Sequence, residues 1–209
     1  MAEPNRKSFG YWFKNVFWFH YGKLSILVAF LLAAAVWMTV EALKKEEYDL
    51  NAAIITEGGL AETDTASLNA LFAEAAGDVN GDGKVLVNIV TVDLSDTENL
   101  ESNQYRMLLY MSLPEYTVFI MNDYYSNLYA EKDETFQPFA DYGLETEDAG
   151  GRRALVSQKA LLKSLPEGDY YVCLSDWTVD GKGSEAMTAA AVRAIRALLD
   201  SPDAGTEAG

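Results

Sequence analysis

The chain has 209 residues, a net charge of −16 from 32 acidic and 16 basic side chains, one histidine and one cysteine. So acidic a balance repels phosphate backbones and argues against nucleic acid as a partner. A lone Cys173 allows no internal disulfide, and a lone His20, inside the N-terminal arm, leaves no Ser-His or Cys-His pair for the rest of the chain.

Residues 1–23 form a basic, aromatic arm: Arg6, Lys7, Lys14 and Lys23 stand against Glu3, and eight of the thirteen residues at 9–21 are aromatic. Rings of this kind favour the headgroup level of a bilayer, and lysines reach anionic lipid. Residues 24–40 (LSILVAFLLAAAVWMTV) carry no charge, and extension to Leu43 past Glu41 gives twenty residues. At about 1.5 Å per residue, that length covers a hydrocarbon core of about 30 Å. A cleaved signal peptide and a buried core helix are the alternatives. The small-residue run 33–35 lies inside the apolar stretch, not after it, which favours an uncleaved anchor. Four cations precede the span, and only Lys44 and Lys45 follow before Glu46 and Glu47. Excess Lys and Arg stay inside, so the N-terminus is expected in the cytoplasm and the C-terminal domain outside the cell.

Residues 44–200 are expected to fold as one acidic external domain. Residues 49–56 read as a strand, broken by Glu57-Gly58-Gly59. Asp64 or Thr65 would cap a helix through Ala76, with Leu68, Leu71, Phe72 and Ala75 on one face. Residues 85–94 are β-branched and strand-like, and a helix near 99–113 sets Leu100, Met107, Leu108 and Met111 on one side. Residues 116–121 (YTVFIM) read as a strand buried on both faces, with Asn122 and Asp123 capping a short helix. A loop with a packing aromatic pair follows at 135–143, then a strand at 154–157 and a helix at 158–165. Residues 170–179 (YYVCLSDWTV) make a further strand, and Ser184 caps a last helix with Met187, Ala191, Ile195, Leu198 and Leu199 inward. The tail 201–209 is almost free of apolar residues and is expected to be disordered. Strands alternating with helices give an α/β domain with a mainly parallel sheet covered by helices.

Two resemblances add to this reading. The order strand, helix, strand, helix, apolar strand ending in Asn122-Asp123, then Phe136-x-Pro138-Phe139-Ala140-Asp141, resembles one lobe of extracellular solute-binding proteins. The whole layout is similar to single-span membrane-anchored bacterial proteins. The first resemblance implies a bound solute, although the chain is too short for two lobes and a cleft between them. The stretch Asp78-Val79-Asn80-Gly81-Asp82-Gly83-Lys84 resembles the start of the calcium loop of EF-hands and dockerins. It implies a structural Ca2+ held by Asp78, Asn80, Asp82 and the Lys84 carbonyl. Ile89 stands where a closing acid belongs, so a carboxylate from elsewhere, such as Glu74, would complete the shell. A polar turn joining helix to strand accounts for the same residues.

In open α/β sheets ligands bind beyond the carboxyl ends of the strands. Those ends offer Glu57, Asp93, Asn122, Asp123, Asp176 and Trp177, an acidic crevice with an aromatic wall suited to a small polar or cationic ligand. Asp, Asn and Ser also belong there as helix caps. No phosphate-cradling loop and no nucleophile–base pair is present, so an enzyme is not expected. The expected function is a membrane-anchored extracellular binding or interaction domain, with membrane lipid and a membrane protein as expected partners and a role as accessory to a membrane assembly. The alternative is a structural calcium-loop module for cell-envelope attachment.

Overall fold

The computed structural model describes residues 9–13, 17–43, 47–130, 135–175 and 182–205, in two units, 1–46 and 47–209. In the first unit a short helix α1 (Phe9–Trp12) precedes the long helix α2 (Trp18–Leu43). Phe9, Phe13, Phe17 and Tyr21 recur every fourth residue and stack in sequence, with ring centroids 6.1, 5.3 and 6.0 Å apart. The stretch Tyr21–Val40 is twenty residues long and apolar enough to cross a membrane, and apart from Gly22 its residues are exposed or half-buried.

The second unit is a five-stranded sheet with helices on both faces. In chain order its elements are β1 (Leu50–Thr56), α3 (Glu62–Ala76), β2 (Val87–Asp93), α4 (Leu100–Ser112), β3 (Tyr116–Asn122), α5 (Asp123–Ala130), β4 (Arg153–Leu155), β5 (Tyr170–Leu174) and α6 (Lys182–Leu199). The strand order is β2-β1-β3-β5-β4. β1 pairs in parallel with both β2 and β3, whereas β5 runs antiparallel to β3 and to β4. Four strands therefore point one way and β5 the other.

Alternation along the strands sends side chains into two cores. Leu50, Ala52 and Ile54 of β1 and Val118 and Ile120 of β3 pack with Leu68 and Phe72 of α3 and with Ala191, Ile195 and Leu198 of α6. Ala53, Ile55, Phe119, Met121 and Cys173 point to the opposite face, beneath Met107 and Met111 of α4. β1 is buried at every position, which explains its lack of polar alternation. The aromatic pair of the 135–143 loop divides between the faces. Phe136 meets Phe119 at 5.9 Å, and Phe139 joins the α3–α6 core.

Several expectations change. Helix α3 begins at Glu62, with Ala61 at its N-cap position, so Asp64 lies in the first turn and accepts the Ser164 N–H at 3.0 Å. Leu108 is 52% exposed, not inward, because the buried stripe of α4 is Asn103, Met107 and Met111. The helix expected at 158–165 shrinks to a 3-10 turn, Ala160–Leu162. Helix α6 starts at Lys182, so Ser184 lies inside it. The start of the expected disordered tail is tied down: Ala204 donates to the Gln158 carbonyl at 2.7 Å, and Lys159 Nζ meets Asp203 at 2.9 Å.

Candidate functional site

The loops leaving β1 and β3 diverge to opposite faces, one to α3 and the other to α5. A crevice opens at such a switch point in open α/β sheets. Glu57, one residue past β1, and Asn122, the last of β3, meet across it, with Asn122 Nδ2 at 3.4 Å from Glu57 Oε1. Asn122 also caps α5, accepting the Tyr125 N–H on Oδ1 at 3.0 Å. One side chain thus fixes the helix start and turns its amide toward Glu57.

Two tyrosines not singled out by the sequence flank this contact, Tyr125 packed against the α4 core and Tyr170 buried in the α3–α6 core. Tyr125 lies in the first turn of α5, and Tyr170 opens β5 opposite Asn122. Burial pushes both phenols above their ordinary range, and the Glu57 charge pushes them further. Both remain protonated donors at neutral pH. Gly58 keeps the β1 exit close-packed: its φ is +139°, and a Cβ there would stand 2.6 Å from Pro166 Cγ.

Asp93 pairs with Thr56 at the same rim. Its carboxylate accepts the Ser95 N–H and hydroxyl at 2.8 and 2.7 Å, and its carbonyl accepts Asn103 Nδ2 at 2.8 Å. Asp93 therefore closes the turn into α4. Asp123 turns toward Arg153 Nη1 at 3.1 Å. The same guanidinium bonds Ser126 Oγ at 2.8 Å and Asp148 at 3.0 Å, and lies 4.1 Å from the Tyr171 ring centroid. Burial alone would lower the Arg153 pKa, but the Asp148 and Asp123 carboxylates raise it above its ordinary value. Arg153 thereby ties α5 and the 146–150 loop to β4.

The reversal of β5 divides the expected rim. Leu174 pairs with Val118 near the start of β3, so the carboxyl end of β5, at Ser175, lies at the opposite edge from Glu57 and Asn122. Asp176 and Trp177 lie outside the described residues. Cys173 is fully buried, and burial pushes its thiol far above the ordinary range, which holds it as the unreactive thiol.

The 78–84 loop is organised by its own backbone. Asp78 accepts the N–H groups of Gly81 and Gly83 at 2.7 and 2.9 Å, Asn80 accepts that of Asp82 at 2.9 Å, and Asp82 that of Lys84 at 2.8 Å. The outside carboxylate that reaches the loop is Asp49, at the foot of β1. It is 1% exposed and accepts N–H groups from Val79, Asn80 and Leu86 at 2.7, 3.1 and 2.8 Å. Among the described residues no three His, Cys, Asp or Glu side chains gather as a metal-ligating group.

Comparison with protein-family models, with curated proteins and with solved structures returns no match.

Proposed function

We propose that this protein is a membrane-anchored, non-catalytic binding domain, whose crevice between β1 and β3 receives a small polar or cationic ligand. The observation that carries this reading is the contact of Glu57 with Asn122 where the two loops part, with the Tyr125 and Tyr170 phenols under the influence of the same carboxylate. The exposed Glu57 carboxylate, the Asn122 amide and the half-buried Tyr125 phenol offer acceptors for an ammonium group and donors for its polar substituents. The set lacks the nucleophile–base pairing that covalent chemistry needs. Helix α2 anchors the chain, with the N-terminus in the cytoplasm and the acidic body outside the cell. The apolar stretch Tyr21–Val40 and the aromatic stack that runs into it support the anchor, and the excess of Lys and Arg before it supports the orientation. A membrane protein alongside α2 is the natural partner.

A thermal-shift screen of the full chain in detergent, using amino acids, polyamines and quaternary amines as probes, tests the site. At least one probe should raise the midpoint, and Glu57→Gln should abolish that rise while leaving the unliganded midpoint within about 1 °C, since the replaced side chain is exposed. A hit that Glu57→Gln leaves intact would move the ligand elsewhere, and a screen without hits would remove the small-molecule reading. Protease added to intact cells should digest the body and spare α2.

A further inference from the structure

The outer edge of β4 faces a cavity. In an antiparallel pair, residues alternate between turning their N–H and C=O toward the neighbouring strand and turning them away. Val156 donates to the Tyr170 carbonyl at 2.8 Å, and the register sets Ala154 opposite Val172 and Leu155 opposite Tyr171. Ala154 and Val156 therefore face β5, and the N–H and C=O of Leu155 point outward. One step back along the strand, the outward carbonyl of Arg153 accepts the Thr146 hydroxyl. Leu155 has no such cover among the described residues, and its side chain is 42% exposed.

The cavity along this edge has a volume of about 630 Å³. Leu155 and Tyr171 line it on one face of the sheet and Ala154 and Leu199 on the other, and Glu145, Glu147, Asp148 and Asp203 give it charge. Its lysine, Lys159, is already engaged with Asp203 and with the Ser201 carbonyl, both at 2.9 Å, and Asp148 is held by Arg153. Glu145 and Glu147 are exposed and have no cation beside them among the described residues.

We propose that the β4 edge is a docking surface for an extended basic segment of a partner protein, added as a sixth strand beside Leu155 with lysine or arginine side chains against Glu145 and Glu147. Each feature selects one property of the occupant. The open N–H and C=O of Leu155 select a strand that offers the complementary pair. The Leu155–Tyr171 floor selects an apolar side chain at the residue opposite Leu155, and the next residues along, which point away from that floor, are free to be cationic. The unpaired carboxylates select positive charge and repel a second copy of this acidic chain, which blunts self-pairing at the same edge.

The test uses the full chain in detergent micelles and a fluorescent heptapeptide of alternating lysine and valine, followed by anisotropy. A second peptide of equal charge, with proline for the central valine, lacks the N–H that the Leu155 carbonyl would accept. The alternating peptide should bind, and the proline peptide should bind at least about tenfold more weakly. The double variant E145K/E147K should also lose about tenfold, whereas Glu57→Gln should bind as the parent does. Should E145K/E147K disturb the circular dichroism spectrum, Glu145→Gln and Glu147→Gln singly take its place, each with an expected loss of about threefold. Bound peptide should slow hydrogen exchange at the Leu155 amide. No binding at millimolar peptide, equal binding of the proline peptide, or undiminished binding to the charge variants would each overturn the proposal.

Discussion

Replacing Asp49 by alanine should cost the domain about 3 kcal/mol, chiefly by releasing the 78–86 segment. A hydrogen bond to a charged group contributes about 1.5–3 kcal/mol, so three such bonds set a ceiling well above that figure. The ceiling does not apply. Asn80 is exposed and Val79 half-buried, so water replaces the carboxylate at both N–H groups once the loop opens. The Leu86 N–H, half-buried where the chain enters β2, bears most of the penalty of an unsatisfied donor, about 1–3 kcal/mol, and loss of loop order adds about 1 kcal/mol. Asp49→Asn should lose about half as much, because its amide oxygen still serves Val79 and Asn80 while its NH2 group confronts Leu86 N–H. Urea denaturation followed by far-UV circular dichroism measures both losses, and hydrogen exchange at Val79, Asn80 and Leu86 localises them. A loss below about 1 kcal/mol for Asp49→Ala, or unchanged exchange at those three amides, would refute the reasoning. The Asp78, Asn80 and Asp82 oxygens are already engaged by backbone N–H groups, so EDTA should leave the melting temperature unchanged. A rise in millimolar calcium would instead mean that Asp78 and Asp82 gather an ion as their spacing suggests.

Arg153→Met should cost about 2–3 kcal/mol, nearly all through Asp148, whose side chain is 16% exposed and among the described residues would keep the Gly150 N–H at 3.1 Å. Asp123 is 60% exposed, so in double-mutant cycles its coupling to Arg153 should stay below about 1 kcal/mol and that of Asp148 should exceed it; the reverse order would refute the assignment. The buried Cys173 thiol keeps its proton in the folded chain, while in the unfolded chain it titrates near pH 8.5, at about the ordinary value. Stability should therefore be unaffected by this group below about pH 8.5 and fall above it by up to about 1.4 kcal/mol per pH unit. Cys173→Ala should flatten that alkaline limb, and a native thiol that labels as fast as free cysteine would contradict its burial.

The alternation of strands and helices, and which faces of α3 and α6 turn inward, follow from periodicity in the chain. Ile54, Phe72, Ile120 and Ile195 are core residues for that reason. Strand direction is another matter. Nothing in YYVCL encodes whether β5 runs with or against β3. The clue lies in the connection, since residues 156–169 hold only a 3-10 turn and no crossover helix to carry the chain back to the rim it left. Glu57 and Asn122 were legible as strand-end residues, and their meeting follows from the adjacency of β1 and β3. Tyr125, Tyr170 and Asp49 were not, because each acts through a partner distant in sequence. Asp49 sits about 30 residues from Val79, and its identity as an aspartate before an apolar run fits any loop.

Helix α6 is the last of the described elements, yet it seals the face first laid down by β1 and α3. Until residues 182–199 leave the ribosome, Ile54, Leu68 and Phe72 lack Ala191, Ile195 and Leu198 as packing partners. A nascent or prematurely terminated body would therefore present a greasy, half-built face to chaperones and proteases.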